Sequence, residues 1–211
     1  AYLADYARHA GAKRVEVIPT VVDLARYPAM PPISDSEVFT IGWIGSPSTA
    51  PYLHTIAPAL AQVCQDGRAR VRLIGSGPID LPGVPVEVLP WQEDTEVAEM
   101  RRFDVGIMPL PDEPWTRGKC GFKLIQYMAC GLPVVASPVG VNSEIVTDDH
   151  NGYLASGIQD WVHALQRLRA DAALRQRMGQ AGRKRVQERY GLSVTAPRYL
   201  AVLADAMHRG Q

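Results

Sequence analysis

A chain of 211 residues with 46% hydrophobic and 21% charged composition is long enough to bury a full core as one domain with an appendage, and reads as an ordinary soluble globular protein. Lys plus Arg and Asp plus Glu both number 22, so the charge balance gives no general reason to expect a nucleic-acid partner. No run approaches the roughly 18 apolar residues of a membrane span, no secretory signal opens the chain, and Cys64, Cys120 and Cys130 form neither a disulfide framework nor a metal-ligand spacing, so they read as small buried residues of a reducing, cytoplasmic compartment.

The chain opens in a helix-like stretch, AYLADYARHAGA, that begins without Met and points to a fragment of something longer. VEVIPTVVDLARY follows, and the Pro-rich piece YPAMPPISDSEVF reads as a linker or hinge. Apolar β-rich runs then alternate with helical periodicity. The strands are VFTIGWIG, RVRLIGSG, VPVEVLPW, DVGIMPL, PVVASPVG and NGYLA, with helices near 50–65, 93–102 and 122–130. This order, with strands that are short and mostly apolar, predicts an α/β fold: a doubly wound parallel sheet covered on both faces. After NGYLA the pattern turns wholly helical. Trp161, Ala164, Leu165 and Leu168 form one apolar stripe and Leu174, Met178 and Ala181 another, both read as core. The cations Arg167, Arg169, Arg175, Arg177, Arg183, Lys184, Arg185 and Arg189 face only Asp160, Asp171 and Glu188. They read as a solvated helical face, with an anionic membrane surface as the alternative partner.

In such a sheet ligands bind beyond the carboxyl ends of the strands. The loop GSPST offers Gly45, Ser46, Ser48 and Thr49, either to a ligand or, through Ser48 or Thr49, as a helix cap. The loop GSGP needs its glycines as a strand-ending turn in any case, and IGWIGS lacks the third glycine and the acidic residue of a dinucleotide fingerprint. The stretch RGKCGFKLIQYMACGLPVVAS carries more information. Arg117, Lys119 and Lys123 crowd a helix start, and no Asp or Glu occurs between Glu113 and Glu144 to pair with them. Cations at a helix N-terminus are destabilising unless an anion is bound. With Lys119 and Lys123 about one turn apart beside backbone N–H groups from Gly118 to Gly121, a diphosphate is the natural partner, solvated lysines being the alternative. His150 in DDHNG reads as a turn residue, and no Asp-x-Asp or His cluster argues for a metal.

The string QYMACGLPVVASPVGVNSEIVTDDHNGYLA resembles the C-terminal signature of family 4 glycosyltransferases of the GT-B fold. VIPTVVDLARY is similar to that family's interdomain segment, and FTIGWIGSPST to the first strand of its donor domain. The resemblance implies a Rossmann-like nucleotide-sugar-binding domain over 39–190, preceded over 1–38 by the end of an N-terminal domain and a linker and followed over 191–211 by a C-terminal helix. The family sets two glutamates on the donor at a fixed interval. The second aligns here with Gln126, whose amide can still bond a ribose hydroxyl; the first falls on Gly118, or on Glu113 when counted from the strand-end Pro109, which implies an insertion holding Trp115, Arg117 and Gly118. The family's cations after the first strand are absent, so Arg117, Lys119 and Lys123 are expected in their place.

The resemblance therefore implies transfer of a hexose-like unit, with retention, from a nucleoside diphosphate sugar to an acceptor sugar, lipid-linked sugar or other small molecule. No cofactor and no metal are expected, and a peripheral contact with the inner membrane face is allowed. Glu113, Lys119 and Lys123 are the expected catalytic residues; Gly45, Ser46, Arg117, Gly118, Gly121 and Gln126 the donor and phosphate contacts; Leu89, Pro90 and Trp91 the base site. Two alternatives stay open: a nucleotide-sugar epimerase of the same fold using Glu113 and Glu144, and a binding module in which Gly118 and Gln126 are degenerate positions.

Overall fold

The structure, a computed structural model, describes residues 2–28 and 38–209. Among these, strands β1 (Phe39–Ile44), β2 (Ala69–Ile74), β3 (Val86–Leu89), β4 (Val105–Met108), β5 (Val134–Ala136) and β6 (Gly152–Leu154) form one parallel sheet in the order β3-β2-β1-β4-β5-β6. The chain winds outward from β1 on one side, returns to β4 and winds outward on the other, so the order reverses between β1 and β4. Every residue of β1 and β4 is buried, which is why these strands read as continuous apolar runs. One core, around Ile41, Trp43, Leu60, Leu73 and Trp161, covers one face of the sheet. A second, around Ile74, Met108, Leu124, Tyr127 and Val134, covers the other.

The helices are α1 (Tyr2–His9), α2 (Ala57–Cys64), α3 (Glu96–Met100), α4 (Pro114–Arg117), α5 (Phe122–Ala129), α6 (Asn142–Ile145), α7 (Ile158–Ala170), α8 (Ala172–Arg189) and α9 (Leu192–Arg209). The helix predicted over 50–65 is split, because Ala50–Ile56 winds as a tighter 3-10 turn and Pro58, which has no N–H to donate, sits where the two would join. Four-residue α4 and α6 are too short to display a period, so the sequence pattern does not announce them. Most of the Pro-rich linker falls at positions 29–37, outside the described residues.

Two expectations for the helical end change. The stripe on α7 is core, with Trp161, Ala164, Leu165 and Leu168 buried, but α8 packs through Met178, Gly179, Gly182 and Val186, and Ala181 is only half-buried. Glycine has no side chain to register as periodicity, yet a Cβ on Gly179 would lie 1.9 Å from the Gly131 carbonyl oxygen. Of the cations, Arg167, Arg177, Lys184 and Arg189 are exposed as expected, but Arg169, Arg175, Arg183 and Arg185 are half-buried. Arg175 lies 3.5 Å from Asp104, Arg169 pairs with Asp66 at 3.0 Å, Arg183 donates to the carbonyls of Ala129 and Tyr27, and Arg185 donates to the Glu144 carbonyl. These guanidiniums cap helix ends and tie the helical layer to the sheet, using acceptors distant in sequence.

At the reversal point β1 and β4 pair in register only at Ile41–Val105 and Gly42–Gly106. Beyond that the Tyr127 hydroxyl, brought in by α5, accepts the Ile44 N–H at 2.9 Å and donates to the Ile107 carbonyl at 3.4 Å. The ring fits because β4 carries glycine beside it: a Cβ on Gly106 would stand 2.3 Å from Tyr127. Tyr127→Phe leaves the buried Ile44 N–H without a partner and is expected to lower unfolding free energy by about 1–3 kcal/mol in chemical denaturation.

Candidate functional site

The carboxyl ends of β1 and β4 open into a cleft of about 760 Å³, a size suited to a small molecule. Ile44, Gly45 and Met108 come from the strand ends, Ser46, Pro47, Thr49 and Gly75 from the loops after β1 and β2, and Lys119, Cys120, Gly121, Phe122, Lys123 and Gln126 from the start of α5. Trp91 and Glu96 complete the lining. Gly75, at φ 75°, permits a close approach of the two loops: a Cβ there would meet the Gly45 carbonyl oxygen at 2.4 Å.

Lys123 is drawn inward beneath this loop. Its Cε would lie 2.8 Å from a Cβ at position 45, and its Nζ sits 5.2 Å from the centroid of the buried Trp43 ring. Burial first, and the neighbouring Lys119 ammonium second, push its pKa down from 10.5 to about 8. Lys119 stands between two rings, its Nζ 5.7 Å from Tyr52 and 5.8 Å from Trp115. Among the described residues neither lysine has a carboxylate within ion-pair distance. The turn into α5 is made by Gly121 at φ 69°, where a Cβ would lie 2.3 Å from Ile145 Cδ1, and no side chain caps the helix. The cleft therefore meets an uncapped helix start carrying two ammonium groups, a setting that favours an anion.

The predicted residues divide into two groups. Gly45, Ser46, Trp91, Gly118, Lys119, Gly121, Lys123 and Gln126 line the cleft together. Glu113, Arg117, Leu89 and Pro90 do not. Arg117 corrects the expectation that all three cations lack a carboxylate: α4 turns the chain back so that Nε and Nη2 of Arg117 meet Asp112, just outside the acid-free interval, at 2.6 and 3.0 Å. Its side chain faces a neighbouring cavity of about 350 Å³ shared with Tyr2, Leu3, Val141 and Glu144. Glu113 is exposed at the start of α4, where its N–H donates to Thr116 Oγ1 at 3.1 Å. Lys119 precedes the helix rather than opening it, and its N–H already donates to the Thr116 carbonyl, so it is not one of the available amides. Thr49 does not cap; its hydroxyl donates back to the Ser46 carbonyl at 3.1 Å. Cys120 is exposed at the cleft, not buried as expected, because it lies in the turn before α5.

Two cleft features escaped the sequence reading. Glu96 is 7% exposed and its Oε2 accepts the Trp91 indole N–H at 2.8 Å. Tyr27, from the segment before the linker, is buried with its hydroxyl 3.4 Å from Gln126 Nε2. The available signal for Glu96 was its placement four residues before Met100, on the buried face of α3.

Against known proteins, residues 38–171 match the family described as "Glycosyl transferases group 1". The chain belongs to this family. Among the glycosyl transferases, the D-inositol 3-phosphate glycosyltransferase of Stackebrandtia nassauensis is 37% identical over 117 residues, covering 54% of this chain and 25% of that protein. The match thus spans about a quarter of that relative's length. The C-terminal domain of the group 1 family protein LpcC from Francisella tularensis superposes with a TM-score of 0.61 at 19% identity, over 81% of this chain and 99% of that one. Anabaena Alr3699/HepE, solved in complex with UDP-glucose, superposes at 0.74 with 19% identity, over 94% of this chain and 60% of that one. These structural likenesses show the fold, a Rossmann-like half of the GT-B architecture. Among the described residues no group of three or more His, Cys, Asp or Glu is arranged to hold a metal ion, and no helix is long and apolar enough to cross a membrane.

Lys123 makes a prediction for the ligand-free protein. Below its folded pKa of about 8 it is charged in both states and the penalty of burying that charge is complete; above 10.5 it is neutral in both and the penalty is gone. Between these values the unfolded state binds more protons, so stability rises with pH. Wild-type stability relative to Lys123→Met is expected to climb by about 3 kcal/mol from pH 8 to 10.5, measured by denaturation of both proteins; the raised thiols of Cys64 and Cys130 cancel in the difference.

Proposed function

We propose that the cleft binds the nucleoside diphosphate portion of a sugar donor, and that the chain is the donor half of a retaining glycosyltransferase that passes a hexose-like unit to an acceptor. The observation that carries this reading is the pair Lys119 and Lys123 at the start of α5, without a carboxylate partner among the described residues, one of them held where its charge is disfavoured. A group kept in that condition gains most from a ligand that brings negative charge. The HepE complex with UDP-glucose supports the same reading through its shared fold.

In the proposed reaction the bond between the anomeric carbon and the diphosphate oxygen breaks, and its electron pair leaves with the diphosphate. Lys119, Lys123 and the first N–H groups of α5 neutralise that charge as it develops. The acceptor hydroxyl forms the new bond to the anomeric carbon and passes its proton to the departing diphosphate oxygen. Trp91 would stack against the base, and Gln126 would face the ribose. Gly45, Ser46, Gly118 and Gly121 let the chain close on the diphosphate. Glu113, off the cleft wall, is retained as a rim contact for the sugar. An acceptor sugar, a lipid-linked sugar or another small molecule fits this chemistry, and all three cysteines are unpaired, consistent with a cytoplasmic setting. A contact with the inner membrane face would have to use Arg177, Lys184 and Arg189, the cations of α8 that remain exposed. The epimerase reading finds less support, since Glu113 and Glu144 both lie outside the cleft.

Titration of this chain with UDP and GDP tests the proposal. Lys119→Ala and Lys123→Ala are each expected to lose about 1.5–3 kcal/mol of affinity for the diphosphate that binds, while uridine or guanosine binds as to the parent. Wild-type affinity should also fall above pH 8 as Lys123 loses its proton, and Lys123→Arg should remove that fall. Diphosphate binding unchanged in both alanine variants would overturn the assignment.

A further inference from the structure

We infer that Glu96 is the acceptor for the vicinal 2′ and 3′ hydroxyls of the bound nucleotide's ribose, an assignment that rests on the nucleotide reading above. Glu96 is a carboxylate lining a cleft whose other charges, Lys119 and Lys123, are cationic. Neither lysine lies within ion-pair distance of it, so the two charge types occupy separate parts of the cleft. A ligand that satisfies both must be anionic in one part and rich in hydrogen-bond donors in the other.

A carboxylate accepts and never donates, and its two oxygens offer about four acceptor sites. Glu96 uses one well: Oε2 receives the Trp91 indole N–H at 2.8 Å. Its other oxygen, Oε1, has Arg26 Nη2 at 3.6 Å, beyond hydrogen-bond length, and Arg26 also lies 3.4 Å from Glu93. Acceptor capacity thus remains on a residue that lines the cleft with only 7% of its surface exposed. A phosphate cannot fill it, being itself an anionic acceptor. A vicinal diol can, with two O–H donors spaced to suit one carboxylate.

The neighbours agree with a ribose. Trp91, the candidate base platform, is fastened to Glu96 itself, and in a nucleotide the ribose lies between base and phosphate. Gln126 has its amide nitrogen turned toward the Tyr27 hydroxyl at 3.4 Å, which leaves it one carbonyl oxygen for the sugar. The Tyr27 phenol that Gln126 touches is pushed up chiefly by burial, and the Gln126 hydrogen bond pulls it back. The carboxylate missing at position 126 is then supplied from α3.

The test compares UDP and GDP with their 2′,3′-dideoxy counterparts and with inorganic pyrophosphate, by calorimetry on this chain. Wild type should bind the ribose forms at least about tenfold more tightly, the loss of a charge-assisted bond. Glu96→Gln should erase most of that preference and leave pyrophosphate affinity unchanged. Trp91→Phe, which removes the indole N–H but keeps the carboxylate, should weaken both nucleotide forms and retain the preference. If Glu96 only orients Trp91, the two variants will behave alike, and the inference fails. It fails too if wild type makes no distinction between ribose and dideoxyribose, whatever the variants do. Absence of any binding by UDP, GDP and pyrophosphate would instead overturn the nucleotide reading, and this one with it.

Discussion

The cleft depends on one phenol. Where β1 and β4 stop pairing, the Tyr127 hydroxyl stands in for the missing strand contact, taking the Ile44 N–H and facing the Ile107 carbonyl. Two parallel strands can part inside a protein only if their backbone groups find other partners. Because Tyr127 belongs to α5, the same bond sets that helix against the opening, with Lys123 one turn before it and Gln126 beside it. Glycine on β4 makes the room, as does Gly42 on β1, where a Cβ would lie 1.9 Å from Phe103; Phe103 in turn meets Tyr127 edge to face at 6.3 Å between centroids.

The charges around this opening are held differently from those of the framework. Of three cations crowded into a few residues, Arg117 is drawn off to Asp112 by α4, and Lys119 and Lys123 are set against aromatic rings. Ring faces attract an ammonium without neutralising it. Elsewhere the protein spends its guanidiniums on carbonyls and carboxylates, as Arg183 does at the end of α5 and Arg175 does beside Asp104. The contrast between paired arginines in the framework and unpaired lysines at the cleft separates structural charge from available charge.

The resemblance to group 1 glycosyl transferases and the geometry meet at the departures from the family pattern. That pattern implies a carboxylate where Gln126 stands and a shorter segment before α5. Gln126 and Glu96 both line the cleft, and the Trp115 ring faces Lys119, which lines it too.

The alternation of apolar strands and helices determined the layered parallel fold, because strands buried on both faces must be continuously apolar and helices covering them must carry a stripe. The crowding of Arg117, Lys119 and Lys123 without an acid in the interval singled out the start of α5 as a candidate anion site, and among the described residues Lys119 and Lys123 have no carboxylate partner. Local sequence had no means of separating these three, since the partner of Arg117 lies outside the interval and is reached only by the turn of α4. Nor could it show that Cys120 is exposed, that α8 packs through glycines, or that the arginines of α7 and α8 find acceptors across the molecule. Glu96 is the clearest case: its place four residues before Met100 marks only the buried face of α3, and its contacts with Trp91 and with Arg26, distant in sequence, are decided by the fold. Such facts depend on contacts between residues far apart in the chain, which no local period or propensity encodes.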